Sequence, residues 1–409
     1  MNTTLLKDDL MATEVIADPH SYYRTLRENE RVHWNERWKG WVLTGYKEAV
    51  DVLRDADHFS SDRMGYLESE LTQEERESIA PIFNVLKYWM VFRDPPEHTV
   101  LRMLLNKLFT PVAIERYRPM VRKIVQKALD KVVSNGRMEF IRDFAYEVPM
   151  SVILELIGAP DLDRDKIKEW SEAIGVFFFI KADEPRRREI ACEGINSMVD
   201  YITPLIQQRR EHPGIDLISL LISAEEAGQL TYNDVLATCV LLVFGGHETT
   251  MNLIANGTLA LMTHPQEWEK LQKDPTMIKR AVEELLRYDG SVKSTVRWAK
   301  SDVMVGDKLI KKGERLLVSL SGANRDPLQF DDPDALDITR DPNLHVAFAH
   351  GIHVCLGASL ARMEVEEAFS GLVRRISCPK LEKTAKLDYY PSVVHRALKS
   401  LPVTFQELK

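Results

Sequence analysis

Phe348-Ala349-His350-Gly351-Ile352-His353-Val354-Cys355-Leu356-Gly357 runs directly into Ala358-Ser359-Leu360-Ala361-Arg362, a segment of helical spacing. Gly351 and Gly357 permit tight turning. Cys355 falls at the N-terminus of the following helix, where unpaired N–H groups and the helix dipole favour a thiolate. A thiolate so placed can be a nucleophile or a metal ligand. Three readings compete. His345, His350, His353 and Cys355 could hold zinc, although their spacing is not a usual one for that metal. A lone cysteine can also be an inert core residue. A single thiolate holding haem iron fits the flanking residues best.

The rest of the chain narrows the choice. It has 409 residues, 44% hydrophobic and 28% charged, the composition of a globular protein rather than a disordered one. Its 62 acidic and 54 basic residues leave a net charge of −8. That balance argues against a general nucleic-acid binder, which must neutralise phosphates. The four cysteines, Cys192, Cys239, Cys355 and Cys378, are far apart and support neither a disulfide framework nor a Cys-rich zinc site. No signal peptide is evident at the start, and the most apolar run, Ala237 to Phe244, is too short to span a bilayer. A cytoplasmic location without a membrane anchor is the expectation.

Hydrophobic spacing predicts a mainly α chain with a minor β part. A short helix is expected over Ser21 to Arg27, a hairpin over Arg31 to Gly45 and a helix over Tyr46 to Arg54. Ser60 to Asp94 reads as a long, partly helical loop region. Helical repeats then dominate Pro96 to Leu286, including one helix over Val112 to Val133. Short strands are expected at Val303 to Gly306 and Arg315 to Ser319, a last helix from Leu356 to Ile376 and strand-like character from Leu387 to Phe405. Residues 1–17 read as a poorly ordered N-terminal segment.

The longest helix should begin at Thr231, where Thr231-x-x-Asp234 resembles a capping box, and end near Thr263. Its middle reads Phe244-Gly245-Gly246-His247-Glu248-Thr249-Thr250. Two interior glycines cost about 1 kcal/mol each relative to Ala. They either let two helices cross closely or make room for a small ligand beside an acid and a hydroxyl suited to relaying protons. A zinc-protease reading fails because Met251 stands where a second His is needed.

Phe348, Gly351, Cys355 and Gly357 match F-x-x-G-x-x-x-C-x-G, and this signature resembles that of the cytochrome P450 family of haem-thiolate monooxygenases. The glycine-bearing helix, Gly246 included, is similar to that family's oxygen-activation motif, with Glu248 and Thr249 as the acid–alcohol pair. Glu284-Leu285-Leu286-Arg287 supplies the family's E-x-x-R, and Arg340 best matches the further arginine that joins it. Two departures are visible: Ala349 stands where the family often has Gly, and Gly245 where it often has Ala.

The resemblance, over about Asp18 to Leu401, implies a single P450 domain over 1–409 organised around haem b and a long central helix. It implies Cys355 as axial ligand, and His98, Arg102, Arg297 and His353 as partners of the haem propionates. It further implies reductive activation of O2 and hydroxylation or epoxidation of a hydrophobic small molecule such as a polyketide, terpenoid, steroid or fatty acid, the chemistry of secondary metabolism. A peroxide-driven peroxygenase is the alternative, and a non-catalytic haem sensor a lesser one. Electrons would come from a ferredoxin or flavodoxin and its reductase, with NAD(P)H acting only through them. Lys107, Arg116, Arg118, Arg122 and Lys123 could dock such a partner, or simply be a solvated helix face. The substrate pocket would be lined by the Ser60 to Asp94 region, Phe177 to Phe179 with Phe178 foremost, Val243 to Gly246, Val292 to Thr295, and Val393 with Val394. A monomer is expected.

Overall fold

Thr231 caps the helix Tyr232–Thr263: its hydroxyl accepts from the Asp234 amide while the Asp234 carboxylate accepts from the Thr231 amide. At 1.5 Å per residue these 32 residues reach ~48 Å. The computed structural model describes residues 8–160, 163–179, 186–214 and 216–408. Most of the long helix is buried, including Val235, Val243, Leu253, Ile254 and Leu261. A helix buried on nearly every side is the signature of a core element.

Around it pack Glu147–Ile157, Arg187–Glu211, Ile278–Asp289 and Ala358–Arg375. The chain is 59% helix and 12% strand, as the spacing predicts. One hydrophobic cluster combines residues as distant as Ile16, Leu129, Ile254, Phe369 and Phe405. A five-stranded sheet runs in the spatial order Val32–Asn35, Gly40–Leu43, Arg315–Ser319, Ser294–Ala299 and Phe59–Ser60. The pair Gly40–Leu43 and Arg315–Ser319 is parallel and the rest antiparallel.

Several local expectations need correction. Of the segment 1–17, residues 1–7 lie outside the described residues, while Thr13–Ala17 is helical, Val15 and Ile16 are buried, and the Arg396 guanidinium donates to the Ile16 carbonyl at 2.7 Å. The expected helix from Val112 to Val133 divides into Pro111–Glu115 and Arg118–Asp130. Pro119 sits in the first turn of the second, where its missing N–H is harmless. Ser60 to Asp94 is more helical than loop, with Arg63–Glu70 and Gln73–Leu86, the latter opened by a Thr72–Glu75 capping box. The last helix stops at Arg375, and Ile376–Leu381 is a strand. Between Leu387 and Phe405 only Pro402–Glu407 begins a regular strand.

Candidate active site

The cysteine loop is shaped by its glycines and by backbone bonds. The Cys355 amide donates to the Phe348 carbonyl at 2.9 Å, and the helix Ala358–Arg375 starts three residues later. Gly351 has φ +72°, and a Cβ there would lie 2.1 Å from the Leu53 carbonyl oxygen. Gly351→Ala should therefore lower stability by about 2–4 kcal/mol, combining left-handed strain with a backbone clash. Denaturant unfolding of the haem-loaded protein checks this, and a change below about 0.5 kcal/mol would show the loop to be pliable. Ala349, the departure noted above, has φ 60°, so its methyl holds roughly 1 kcal/mol of strain that glycine would not.

The loop is braced from behind. The Arg287 guanidinium makes two parallel 2.7 Å bonds to Glu284, and neither side chain is accessible to solvent. Arg340 lies 3.2 Å from the same carboxylate. The sequence-matched triad is thus assembled, with two donors that spacing did not reveal: Asn343 Nδ2 at 3.0 Å and the Asp337 amide at 2.9 Å. Arg287 also donates to the carbonyls of Asn324, Pro333 and Ala335. A second brace joins Glu283 to Arg362 and His345 and was not anticipated. Burial opposes the Glu283 charge, but His345 and Arg362 outweigh it and bring its pKa down to about 2.

Between the cysteine loop and the long helix lies a cavity of about 1400 Å³, counting its open part. Leu242, Gly245, Gly246, Thr249, Thr250 and Leu253 of the helix wall it, at the spacing of a single helix face. Phe348, Ala349, His353, Cys355 and Gly357 form the loop side, and Val292 and Thr295 contribute from beside the sheet. The two glycines do different jobs. A Cβ at Gly246 would meet Ile153 at 2.7 Å, so this glycine permits a helix crossing, whereas a Cβ at Gly245 would meet nothing within 4 Å. Gly245 leaves room in the cavity.

Thr249 faces the cavity, and its hydroxyl donates to the Gly245 carbonyl at 3.1 Å. Glu248, one position earlier, is rotated off that wall. Its Oε1 approaches His395 Nδ1 at 3.9 Å. Burial, with the Glu172 charge adding to it, raises the Glu248 pKa to about 7. The acid and the alcohol are therefore adjacent in sequence without sharing a face.

Four donor-bearing side chains gather at the cavity edge. The rings of His98 and His353 stand 4.2 Å apart, and among the described residues neither nitrogen of His98 nor Nε2 of His353 has a hydrogen-bond partner. Arg102 donates to the Val354 carbonyl at 2.6 Å. Arg297 is buried and donates within its own strand, to Thr295 and Val296. Burial and then the neighbouring Arg297, His98 and Arg102 charges push the His353 pKa down to about 2. Asp94 is the carboxylate that partly offsets Arg297 and His98. Buried donors crowded in this way call for an anionic partner. With a thiol on the same cavity, they fit a haem and its two propionates.

The cysteine itself corrects one expectation. Burial raises its thiol pKa, and the Gly357 amide, Arg102 and Arg362 offset that only in part. The helix terminus alone does not favour a free thiolate here, whereas a metal cation bound to the sulfur would favour that form. The zinc reading fails on geometry. His345 is held by Glu283 and His350 contacts Arg54, and among the described residues no three His, Cys, Asp or Glu side chains are close enough to bind a metal ion.

Two expected pocket residues lie elsewhere. Val243 is wholly buried in the core beside Val240 and Phe244, because it sits about 100° around the helix from Leu242. Val393 packs with Val296 against the N-terminal cluster. The Phe178 side chain lies outside the described residues, and Phe177 packs on the core. From the Ser60 to Asp94 region only Met90 and Val91 reach the cavity. Sequence reading missed Glu364, whose buried carboxyl borders the cavity and whose pKa desolvation pushes well above the usual carboxylate range. In sequence it looks like one more helix charge. Of the basic residues considered for docking, Arg118 is held by Glu115, Glu366 and Glu367, and Arg122 by Glu367, whereas Lys107, Arg116 and Lys123 remain exposed.

A mainly helical chain that puts one cysteine and a cluster of histidines and arginines around an apolar cavity has the architecture of a haem-thiolate protein. The Cytochrome P450 family model matches residues 42–403. The chain is 38% identical over 401 residues to the biotin biosynthesis cytochrome P450 of Bacillus subtilis, covering 97% of this chain and 98% of that one. It is 37% identical to the cytochrome P450 monooxygenase PikC of Streptomyces venezuelae, over 97% and 93% of the two chains. The crystal structure of P450BioI in complex with hexadec-9Z-enoic acid ligated acyl carrier protein superposes with a TM-score of 0.89 at 37% identity, over 96% of this chain and 99% of that one. The chain belongs to the cytochrome P450 family and is a monooxygenase. The family implies a haem cofactor and the use of O2. Among the described residues no helix is long and apolar enough to cross a membrane.

Proposed function

We propose that this chain, as one domain, holds haem b through Cys355 and hydroxylates or epoxidises a hydrophobic small molecule in the cytoplasm. Electrons arrive from a ferredoxin or flavodoxin and its reductase. One observation carries the reading: Cys355 and Thr249 border the same apolar cavity, with His98, His353, Arg102 and Arg297 crowded beside it. Haem, when bound, supplies reductive O2 activation and oxygen insertion.

The protein's own residues do the rest. His98, Arg102, Arg297 and His353 hold the propionates. Thr249 offers a hydroxyl at the cavity wall, and Glu248 keeps a proton in reserve behind it. Leu242, Leu253, Val292 and Leu360 keep water out and orient an apolar substrate. Exposed Lys107, Arg116 and Lys123 present positive charge to an acidic redox partner. Among substrates, fatty-acyl compounds come first, since one similar structure holds an acyl chain and another, 34% identical, holds myristic acid.

Glu248 must be protonated to act, and its raised pKa of about 7 means the acid form is lost as pH rises through that value. Turnover should fall over the same window. Glu248→Gln should lower turnover by about 10²-fold and flatten the profile. A variant as fast as the parent, with the alkaline limb intact, would remove Glu248 from the reaction. Substrate class is read from the high-spin shift of the Soret band across fatty acids, steroids, terpenoids and polyketides.

A further inference from the structure

The helix turns Glu248 away from the cavity and toward a segment that the family signature does not contain. Residues 291–294 and 392–396 are laced together: the Lys293 amide donates to the Val394 carbonyl, the Arg396 amide to the Ser291 carbonyl, Ser294 Oγ to the Val393 carbonyl and Lys293 Nζ to the Ser392 carbonyl. The Ser392 hydroxyl also accepts from the His395 amide at 2.9 Å. This lacing fixes His395 opposite Val292, itself a cavity residue. The imidazole is thereby held 3.9 Å from the Glu248 carboxyl, with 11% of its own side chain and 25% of that of Glu248 accessible.

We propose that His395 is a positioning residue that acts through Glu248, orienting its carboxyl and resupplying its proton from solvent. The inference rests on the reading of Glu248 as the proton-handling acid. Once Glu248 has released its proton, the His395 imidazole takes one from a solvent acid, hydronium or the buffer's acid form, and passes it to the carboxylate. The donor's bond to that proton breaks and leaves water or the buffer base, one N–H bond forms and breaks on His395, and one O–H bond forms on Glu248. Glu172 and Tyr390 also face Glu248, but one is a second carboxylate and the other a phenol too weakly acidic to serve. Lys293 faces His395 from the other side, with Asp289 and Arg396 beyond it. Burial and the Lys293 charge keep the imidazole neutral at rest, with a pKa of about 4. Ionisation of Glu248 opposes that depression, so the relay loads when it is needed.

The test is coupled titration in the haem-loaded protein. Histidine-labelled samples of the diamagnetic ferrous-CO form are followed by NMR from about pH 4 to about pH 8, with the His395 signal assigned by its loss in His395→Gln. The His395 titration in the parent should extend about one pH unit or more above that in Glu248→Gln. Identical titrations in the two proteins overturn the proposal. O2 consumption with a surrogate ferredoxin and its reductase, in H2O and D2O, supplies the second readout. His395→Gln should slow it about tenfold or more and enlarge the solvent isotope effect, and no change in either overturns the relay. If Glu248→Gln is slow but the titrations are uncoupled, the role of Glu248 stands and that of His395 falls. If Glu248→Gln is fully active, both fall.

Discussion

Glu284→Ala should destabilise the protein by about 3–5 kcal/mol, the usual consequence of stripping one partner from a buried ion pair. The carboxylate accepts from Arg287, Arg340, Asn343 and the Asp337 amide. Its removal strands an inaccessible guanidinium whose other bonds go only to neutral carbonyls. Because domains are stable by only about 5–15 kcal/mol, much of the total is at stake. Glu284→Gln keeps the shape without the charge and should cost less, about 1–3 kcal/mol. Denaturant unfolding and haem retention together measure this. A loss below about 1 kcal/mol for the alanine variant would mean that the triad does not brace the loop. The neighbouring Glu283 adds an acid limit. Its folded pKa is depressed to about 2, so its contribution is present above the ordinary value of 4.5 and is lost as pH falls from there toward 2.

Cys355→Ala should abolish thiolate ligation and with it monooxygenase activity, while leaving the fold largely intact. The cysteine side chain faces the cavity and not the packed core, so its loss opens no core void. The other three cysteines have no such position. Cys239 is fully buried within the long helix, where burial pushes its thiol up to about 12. Cys192 donates to the Ser78 carbonyl, and Cys378 is exposed on the strand Ile376–Leu381, beyond the helix that follows the loop. Single alanine variants of these should keep the thiolate spectrum. If one of them lost it while Cys355→Ala retained it, the ligand assignment would be wrong.

These two variants probe what was most legible in the sequence. The long helix could be bounded to within a residue because Thr231 and Asp234 cap it locally and Pro265 follows its end. The triad and the cysteine loop were legible because chemistry ties those residue types to fixed spacings. Facing was harder to read. Val243 and Glu248 stand in the right motif but turn away from the cavity, since a shift of one residue rotates a side chain by about 100°. The proximity of His395 to Glu248 arises from contacts between segments more than 100 residues apart, and no local pattern encodes it. The missed strand Ser294–Ala299 owes its structure to ladder bonds with Arg315–Ser319 more than to its own alternation.

The absorption spectrum of the purified, reduced, CO-treated protein tests the central claim most directly. A Soret band at the long-wavelength position of thiolate-ligated haem, lost in Cys355→Ala and kept in the Cys192, Cys239 and Cys378 variants, is the predicted result. A band at the shorter-wavelength position of imidazole-ligated haem in fresh, active protein, or no haem bound at all, would contradict it.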